Sequence, residues 1–230
     1  MKGQLKTEIT LQWRQGFWLV YFVVSALYII VLLNVPRENR MMVSLIMILT
    51  DTTMLGVLFI GALVLLEKQQ AVIHSLFVTP LEPSRYIWTK TLSLTLIAVV
   101  MSILVYLPVW QFSSYSFLLL FTVAVTAGTF AMLGLGLAAG VETINQYFGI
   151  QMAVSVLFLL PVAPYLLLGQ HPAFLFLPYI ASLDIMLGIL NPLPAWRMIT
   201  DLLFMSAWTW FAFRYALRRV NKKLVHSQSG

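Results

Sequence analysis

Few side chains in this 230-residue sequence are of the types that catalyse reactions or bind metals. The three histidines, His74, His171 and His226, are widely separated, so they do not predict a three-histidine metal site. No Ser-His-Asp set and no paired-carboxylate spacing favours hydrolysis, and the chain has no cysteine. We therefore expect no catalytic residue and no metal or cofactor bound by this chain.

A glycine-rich stretch, residues 134–140, is the nearest approach to a phosphate-binding loop. It lacks the lysine that such a loop needs to contact phosphates, so we expect no ATP to bind this chain. Small residues such as Gly136 and Gly140 instead let another helix approach closely. Two interpretations stay open, namely packing within one subunit and an interface between subunits.

One carboxylate, Asp51, lies inside a long apolar run, residues 41–66, beside Thr52. A carboxylate within a membrane costs several kcal/mol unless it is paired, protonated or hydrated, so Asp51 should face the protein interior. In one interpretation, Thr52, Thr53 or a backbone group satisfies it. In the other, Asp51 and Thr52 face a central pathway, where Asp51 contacts a cationic or zwitterionic substrate.

The composition is that of an integral membrane protein. Hydrophobic residues make up 60% of the chain and charged residues 10%, whereas an ordinary soluble domain has roughly 25% charged residues. The net charge of +6 comes from basic residues near the ends of apolar runs, which indicates membrane orientation and not nucleic-acid binding. The length accommodates about six spans of roughly 20 residues with their loops, and leaves no room for a nucleotide-binding domain.

The apolar pattern predicts an all-α integral membrane protein in which residues 1–230 form a single transmembrane domain. The six predicted spans cover residues 16–33, 41–66, 88–110, 117–140, 148–168 and 198–217. Three further segments are predicted to be an amphipathic helix on the membrane surface (2–15), an amphipathic helix in the loop after the second span (67–79) and a re-entrant element (173–194). The re-entrant prediction rests on the breaks at Pro178, Asp184 and Gly188.

Orientation follows from the basic residues. With six spans, 11 of the 14 lysines and arginines lie on one side, and only Arg37, Arg40 and Arg197 lie on the other. A seventh span at 173–190 would move five C-terminal basic residues across and leave six of 14 behind. Because cytoplasmic loops carry the excess of lysine and arginine, six spans are favoured. Both termini should then be cytoplasmic, in a multi-pass protein of the inner (plasma) membrane.

The segment after the second span carries a recognisable order of residues: Glu67, Lys68, Leu76, Thr79, Pro80, Leu81, Tyr86 and Lys90. This order resembles the cytoplasmic loop between the second and third spans of ABC-2 type transporter permeases, in particular bacterial permeases for fluoroquinolone export. In that family the loop is a coupling helix, which docks on a separate ATP-hydrolysing subunit. The resemblance implies that the residues contacting the ATPase are Glu67, Lys68, Val72, Leu76, Phe77, Thr79 and Pro80.

The resemblance also implies a function. The chain would be the permease subunit of an ATP-driven exporter of a hydrophobic drug, paired with a second copy or a homologue and surrounded by membrane lipid, with ATP and magnesium on the ATPase. Aromatic residues of the last span suit either packing and membrane-interface positions or a drug pathway; they are Trp208, Trp210, Phe211 and Phe213. A membrane assembly or immunity protein without transport is the alternative, and an intramembrane enzyme comes third.

Overall fold

A computed structural model describes residues 2–70, 82–109, 114–167, 171–191 and 193–225. Within these ranges the chain forms helices and their connections, and no strand occurs. The described α-helices are α1 (Lys2–Arg14), α2 (Phe17–Asn34), α3 (Arg37–Gln69), α4 (Pro83–Tyr106), α5 (Ser114–Ala139), α6 (Ile144–Leu159), α7 (Val162–Leu167), α8 (Pro178–Leu187) and α9 (Ala195–Val220). A 3-10 helix (Pro172–Phe176) precedes α8, and a π-helical turn (Asn221–Val225) follows α9.

The centre of the bundle is α5, which packs between α3 and α9. A Cβ atom at Gly134 would lie 2.6 Å from the side chain of Ile60 in α3. On the other side, a Cβ atom at Gly136 would lie 2.5 Å from the ring of Tyr215 in α9. The missing side chains of α5 therefore let both neighbouring helices approach its backbone, as small residues do in membrane bundles.

A sharp turn at Gly16 joins α1 to α2. Gly16 has φ +79°, in the left-handed region that glycine adopts without steric cost. The turn lays α1 against α4, where Gln12 donates a hydrogen bond of 2.7 Å to Ser93 and both side chains are buried. The predicted helix at residues 2–15 is thus present, and it is tied to the bundle by a buried polar contact.

Within the described residues, five helices are long and apolar enough to cross a membrane: α2, α3, α4, α5 and the segment Ile144–Leu167. That last segment comprises α6 and α7 and is interrupted at Pro161. The predicted sixth span, 198–217, falls inside α9, which has 26 residues but includes Asp201 and Arg214. Because these charges lower its hydropathy, composition supports five spans, and the count of six stays a prediction.

The helix boundaries on either side of the loop after α3 differ from the predicted ones. The second predicted span, 41–66, is extended in α3 to Gln69, so Glu67 and Lys68 form the last turn of that helix and do not begin a separate one. The next helix among the described residues starts at Pro83, five residues before the predicted position 88, because proline suits the first turn of a helix. Charged residues at both ends of the loop are consequently held in helices.

The predicted re-entrant element, 173–194, consists of the 3-10 helix and α8. Ten residues make α8 about 15 Å long, half of a hydrocarbon core of about 30 Å, so it cannot cross a membrane. Every residue of α8 is buried, with α3, α5 and α9 packed around it. The segment contains short helices with breaks and is covered by protein, and the re-entrant element itself stays a prediction.

Candidate functional site

Four side chains from three helices form a buried cluster at the base of the loop, where α3 ends and α4 begins. The Lys90 ammonium group donates hydrogen bonds to both carboxylate oxygens of Glu8, at 3.1 and 3.2 Å, and pairs with Glu67. The Tyr86 hydroxyl donates a hydrogen bond of 2.9 Å to the second oxygen of Glu67. We call these residues the loop-base cluster; they join α1, α3 and α4.

The charged side chains of the loop-base cluster are largely shielded from solvent. The Lys90 side chain is 1% exposed, and those of Glu8 and Glu67 are 15% and 13% exposed. The ring of Tyr86, one helical turn earlier in α4, lies 5.2 Å from the ammonium group and adds a cation–π contact. A buried charge that loses its partner is strongly destabilising, so these contacts fix the ends of the three helices relative to one another.

Lys68 ties the same turn of α3 to a fourth helix. Its ammonium group donates hydrogen bonds to the backbone carbonyls of Ala138, Ala139 and Val141, at 3.1, 3.0 and 2.7 Å. These carbonyls stand at the C-terminal end of α5, where a cation satisfies unpaired acceptors and interacts favourably with the helix dipole. Glu67 and Lys68 together therefore connect the end of α3 to α1, α4 and α5.

The other residues predicted to contact an ATPase lie outside the described residues; they are Val72, Leu76, Phe77, Thr79 and Pro80. The described part of the loop resumes at Glu82, which pairs with Arg85 at 3.3 Å. Both of these side chains are more than half exposed, so the pair is held far less firmly than the loop-base cluster.

Asp51 is a residue of α3, and its side chain is 9% exposed. The hydroxyls of Thr52 and Thr53 donate to backbone carbonyls four residues earlier, at 2.7 and 3.0 Å. Each hydroxyl has one proton, so in this structure the two threonine hydroxyls do not donate to Asp51. Tyr28 of α2 interacts electrostatically with the carboxylate. The Oδ1 atom of Asp51 has no hydrogen-bond partner among the described residues. Which of the two interpretations of Asp51 holds stays a prediction.

The two predicted packing glycines face the chain's own last helix. Gly136 lies under Tyr215, as described above, and a Cβ atom at Gly140 would lie 3.1 Å from a guanidinium nitrogen of Arg219. Arg219 also lies over the Tyr215 ring, 5.5 Å from its centroid. The small size of both glycines is therefore explained by packing of α5 against α9 within one chain.

An aromatic groove of about 410 Å³ opens between the 3-10 helix and α9; its lining residues are Phe176, Phe204, Ala207, Trp208 and Phe211. The indole nitrogen of Trp208 donates a hydrogen bond of 2.7 Å to the backbone carbonyl of Phe176 and fixes one wall. A groove of this volume suits a drug-sized ligand with flat apolar rings. The sequence analysis named Trp208 and Phe211, but it did not identify Phe176 and Phe204.

A second buried charged network was not predicted from the sequence. Arg197 at the start of α9 donates to both oxygens of Asp184 in α8, at 2.6 and 3.1 Å, and to the hydroxyl of Tyr165 in α7 at 2.8 Å. Tyr165 in turn donates to Asp184. Burial alone would lower the pKa of Arg197, but the hydrogen bonds and charge of Asp184 raise it overall. No periodic signal links these residues, because they come from three separate helices.

Apolar helices long enough to cross a membrane, with buried charge networks at helix ends, define an all-helical integral membrane protein of the multi-span class. Among the described residues, no group of side chains is arranged to hold a metal ion. The sequence matches the model of the fluoroquinolones export permease protein family over residues 1–227, and the chain belongs to this family. The resemblance to such permeases is thereby confirmed.

The chain is similar to two curated proteins. Each is named a fluoroquinolones export permease protein, and they come from two strains of Mycobacterium tuberculosis. Each is 25% identical to this chain over 177 residues, which cover 76% of this chain and 74% of the relative. Family membership makes this chain a membrane permease of the drug-export type, and not an enzyme.

Proposed function

We propose that this chain is the membrane-spanning subunit of an ATP-driven ABC-2 type exporter. In this proposal α9 is the sixth span, both termini are cytoplasmic, and a second copy or a homologue completes the pathway in the plasma membrane. ATP and magnesium are bound by a separate ATPase that docks on residues 67–79. The observation that carries the proposal is the double attachment of α3 through Glu67 and Lys68, directly before the loop.

The attachment supports a mechanical role for the loop. When the ATPase pushes on the loop, the last turn of α3 receives the force. That turn cannot move alone without separating Lys90 from Glu67 and Lys68 from the end of α5. Because breaking a buried ion pair costs about 3–5 kcal/mol, moving the attached helices together is the cheaper response. ATP hydrolysis would thus be converted into movement of α1, α3, α4 and α5.

For the substrate we propose a hydrophobic drug with flat aromatic rings, such as a fluoroquinolone. The family and the names of the two relatives favour this class. The aromatic groove offers a surface for the rings, and Asp51 with Thr52 offers a contact for a cationic group. The unpaired Oδ1 atom of Asp51 is available to such a group.

Affinity purification tests the ATPase partnership. The wild-type chain and Leu76→Asp are purified from the native host, and ATP turnover of the co-purified material is measured in nanodiscs. We expect an ATPase with the wild-type chain and at least a tenfold loss with Leu76→Asp. Glu38→Lys, at the opposite end of α3, is the matched control and should retain it. A well-folded wild-type chain without any ATPase would instead favour the non-transporting alternative.

Drug export by Asp51→Asn tests the substrate contact. Asparagine keeps the size of the side chain but removes its charge. We expect export of a fluorescent cationic or zwitterionic fluoroquinolone to fall, while export of a neutral apolar dye by the same variant is retained. Unchanged export of the charged drug at normal protein levels would exclude Asp51 as a substrate contact and leave the ATPase proposal untouched.

A further inference from the structure

Asp201 is a buried carboxyl group that the proposed export mechanism does not use. It lies in α9, one turn after Arg197, and is 0% exposed. Neither of its carboxylate oxygens meets an N–H or O–H donor among the described residues. An ionised carboxylate in such a place has lost its water without gaining hydrogen bonds, which is strongly unfavourable.

The neighbour of Asp201 is a second carboxyl group, that of Asp184, which lies within hydrogen-bonding reach. Two ionised carboxylates are acceptors only, so a hydrogen bond between them requires a proton on one. Asp184 already accepts two bonds from Arg197 and one from Tyr165, which favour its ionised form. The proton therefore belongs on Asp201, which can donate it to Asp184.

A charge count leads to the same result. One guanidinium group faces two buried carboxyl groups, so the site lacks one positive charge when both carboxyls are ionised. The other helices around α8 do not supply it: α5 has no charged residue, and α3 meets α8 through a hydrogen bond of 2.9 Å between Thr50 and Tyr179. Asp51 of α3, next to Thr50, is a further carboxyl group and not a cation, and His171, before the 3-10 helix, is exposed.

We propose that Asp184 and Asp201 form a proton-binding site, in which one proton, carried by Asp201 and donated to Asp184, links α9 to α8 at neutral pH. Loss of the proton leaves two adjacent negative charges against one guanidinium group, which disfavours the contact between the helices. The bound proton thus stabilises the packing of α8 on α9. The site stands on the burial of both carboxyl groups and on the contacts of Arg197 with Asp184, and it does not rest on export or on an ATPase.

The position of the site in the bundle indicates from which side of the membrane the proton comes. Asp201 and Arg219 are 18 residues apart in α9, about 27 Å along the helix axis. Arg219 lies at the end that carries Gly140 and the Lys68 contacts, so the proton site is at the opposite end of the bundle. In the topology proposed above, that end faces outward, and the proton would come from the outside medium.

Infrared difference spectroscopy between neutral and alkaline pH tests the site, because a protonated carboxyl group has its own carbonyl stretching band. The measurements use purified full-length protein in nanodiscs, without ATPase or drug. Asp51→Asn is the background for all samples, so that the buried carboxyl of Asp51 does not contribute; the bands of Glu8 and Glu67 are recognised because they remain in Asp201→Asn. We expect a band at neutral pH that is lost in alkaline solution, and that is absent when Asp201→Asn is added.

Asp184→Asn provides the second, independent variant. Without Asp184, the side chain of Asp201 becomes the counter-ion of Arg197 and ionises, so the same band should again be lost completely. Loss of one band in each single variant is the signature of a shared proton. A band that persists in Asp184→Asn, or no band that depends on Asp201, would overturn the proposal. Size-exclusion elution identifies which variants are folded. If one of the two variants does not fold, the presence or absence of the band in the other still tests whether Asp201 carries the proton.

Discussion

Lys90 is the residue whose replacement tests the loop-base cluster most directly. Lys90→Met keeps the apolar stem of the side chain and removes the charge, leaving Glu8 and Glu67 without their shared cation. Breaking a buried pair costs about 3–5 kcal/mol, and the 15% exposure of the Glu8 side chain allows partial rehydration, so we expect a value near the lower limit. The predicted loss is about 3 kcal/mol in the free energy of unfolding.

The assay is reversible unfolding by sodium dodecyl sulfate in mixed micelles, followed by tryptophan fluorescence. Arg85→Met is the matched control, because Arg85 is in the same helix and pairs with Glu82, but the side chains are 56% and 64% exposed. An exposed pair contributes less than about 1 kcal/mol, so this variant should unfold nearly as the wild type does.

A compensating variant separates lost charge balance from lost packing. Glu8→Gln and Glu67→Gln, added to Lys90→Met, remove the two carboxylates that the single variant leaves unpaired. We expect the triple variant to recover at least half of the lost stability, because a neutral cluster needs no counter-ion. Equal unfolding free energies for Lys90→Met and Arg85→Met would refute the reasoning, since the buried cluster would then contribute no more than a surface pair.

Two further predictions concern packing against α5. Lys68→Met removes the cation from three carbonyls at the end of that helix, and we expect a loss of about 1.5–3 kcal/mol in the same unfolding assay. Gly136→Ala places a methyl group 2.5 Å from the Tyr215 ring and should cost about 1–3 kcal/mol in the same titration. Gly149→Ala, with no atom within 4 Å of the new methyl group, is its control and should be neutral or slightly stabilising.

Much of the fold follows from hydropathy. Long apolar runs without charge predict helices across a membrane, and the prolines around α8 predict its short length. Helix ends are harder to predict, because Glu67 and Lys68 look like the start of a polar loop. In the structure their partners are Lys90 and the carbonyls at the end of α5, and hydrogen bonds to those partners extend α3 into the polar segment.

The candidate sites were predictable only where one stretch of sequence contains them. Asp51 is visible as a lone charge in an apolar run, and the residues of the loop follow one another along the chain. Glu8 gives no such signal, since it pairs with Lys90 from 82 positions away. The network of Asp184 and Arg197 depends on the short helix α8 folding back toward α9, which a local pattern does not encode.

Because α3 is continuous, its loop end and the region of Asp51 should move at the same time. Glu67 and Asp51 lie 16 residues apart in one uninterrupted helix, about 24 Å along its axis. Gly61 lies between these two residues, and the ring of Tyr147 occupies the space that a side chain at Gly61 would need. The Tyr147 hydroxyl donates a hydrogen bond of 2.5 Å to the carbonyl of Val57, also in α3. With this contact in place, α3 continues as one helix from Asp51 to Glu67. A displacement at the loop and its arrival at Asp51 would then be a single event, without an intermediate in which only one end has moved.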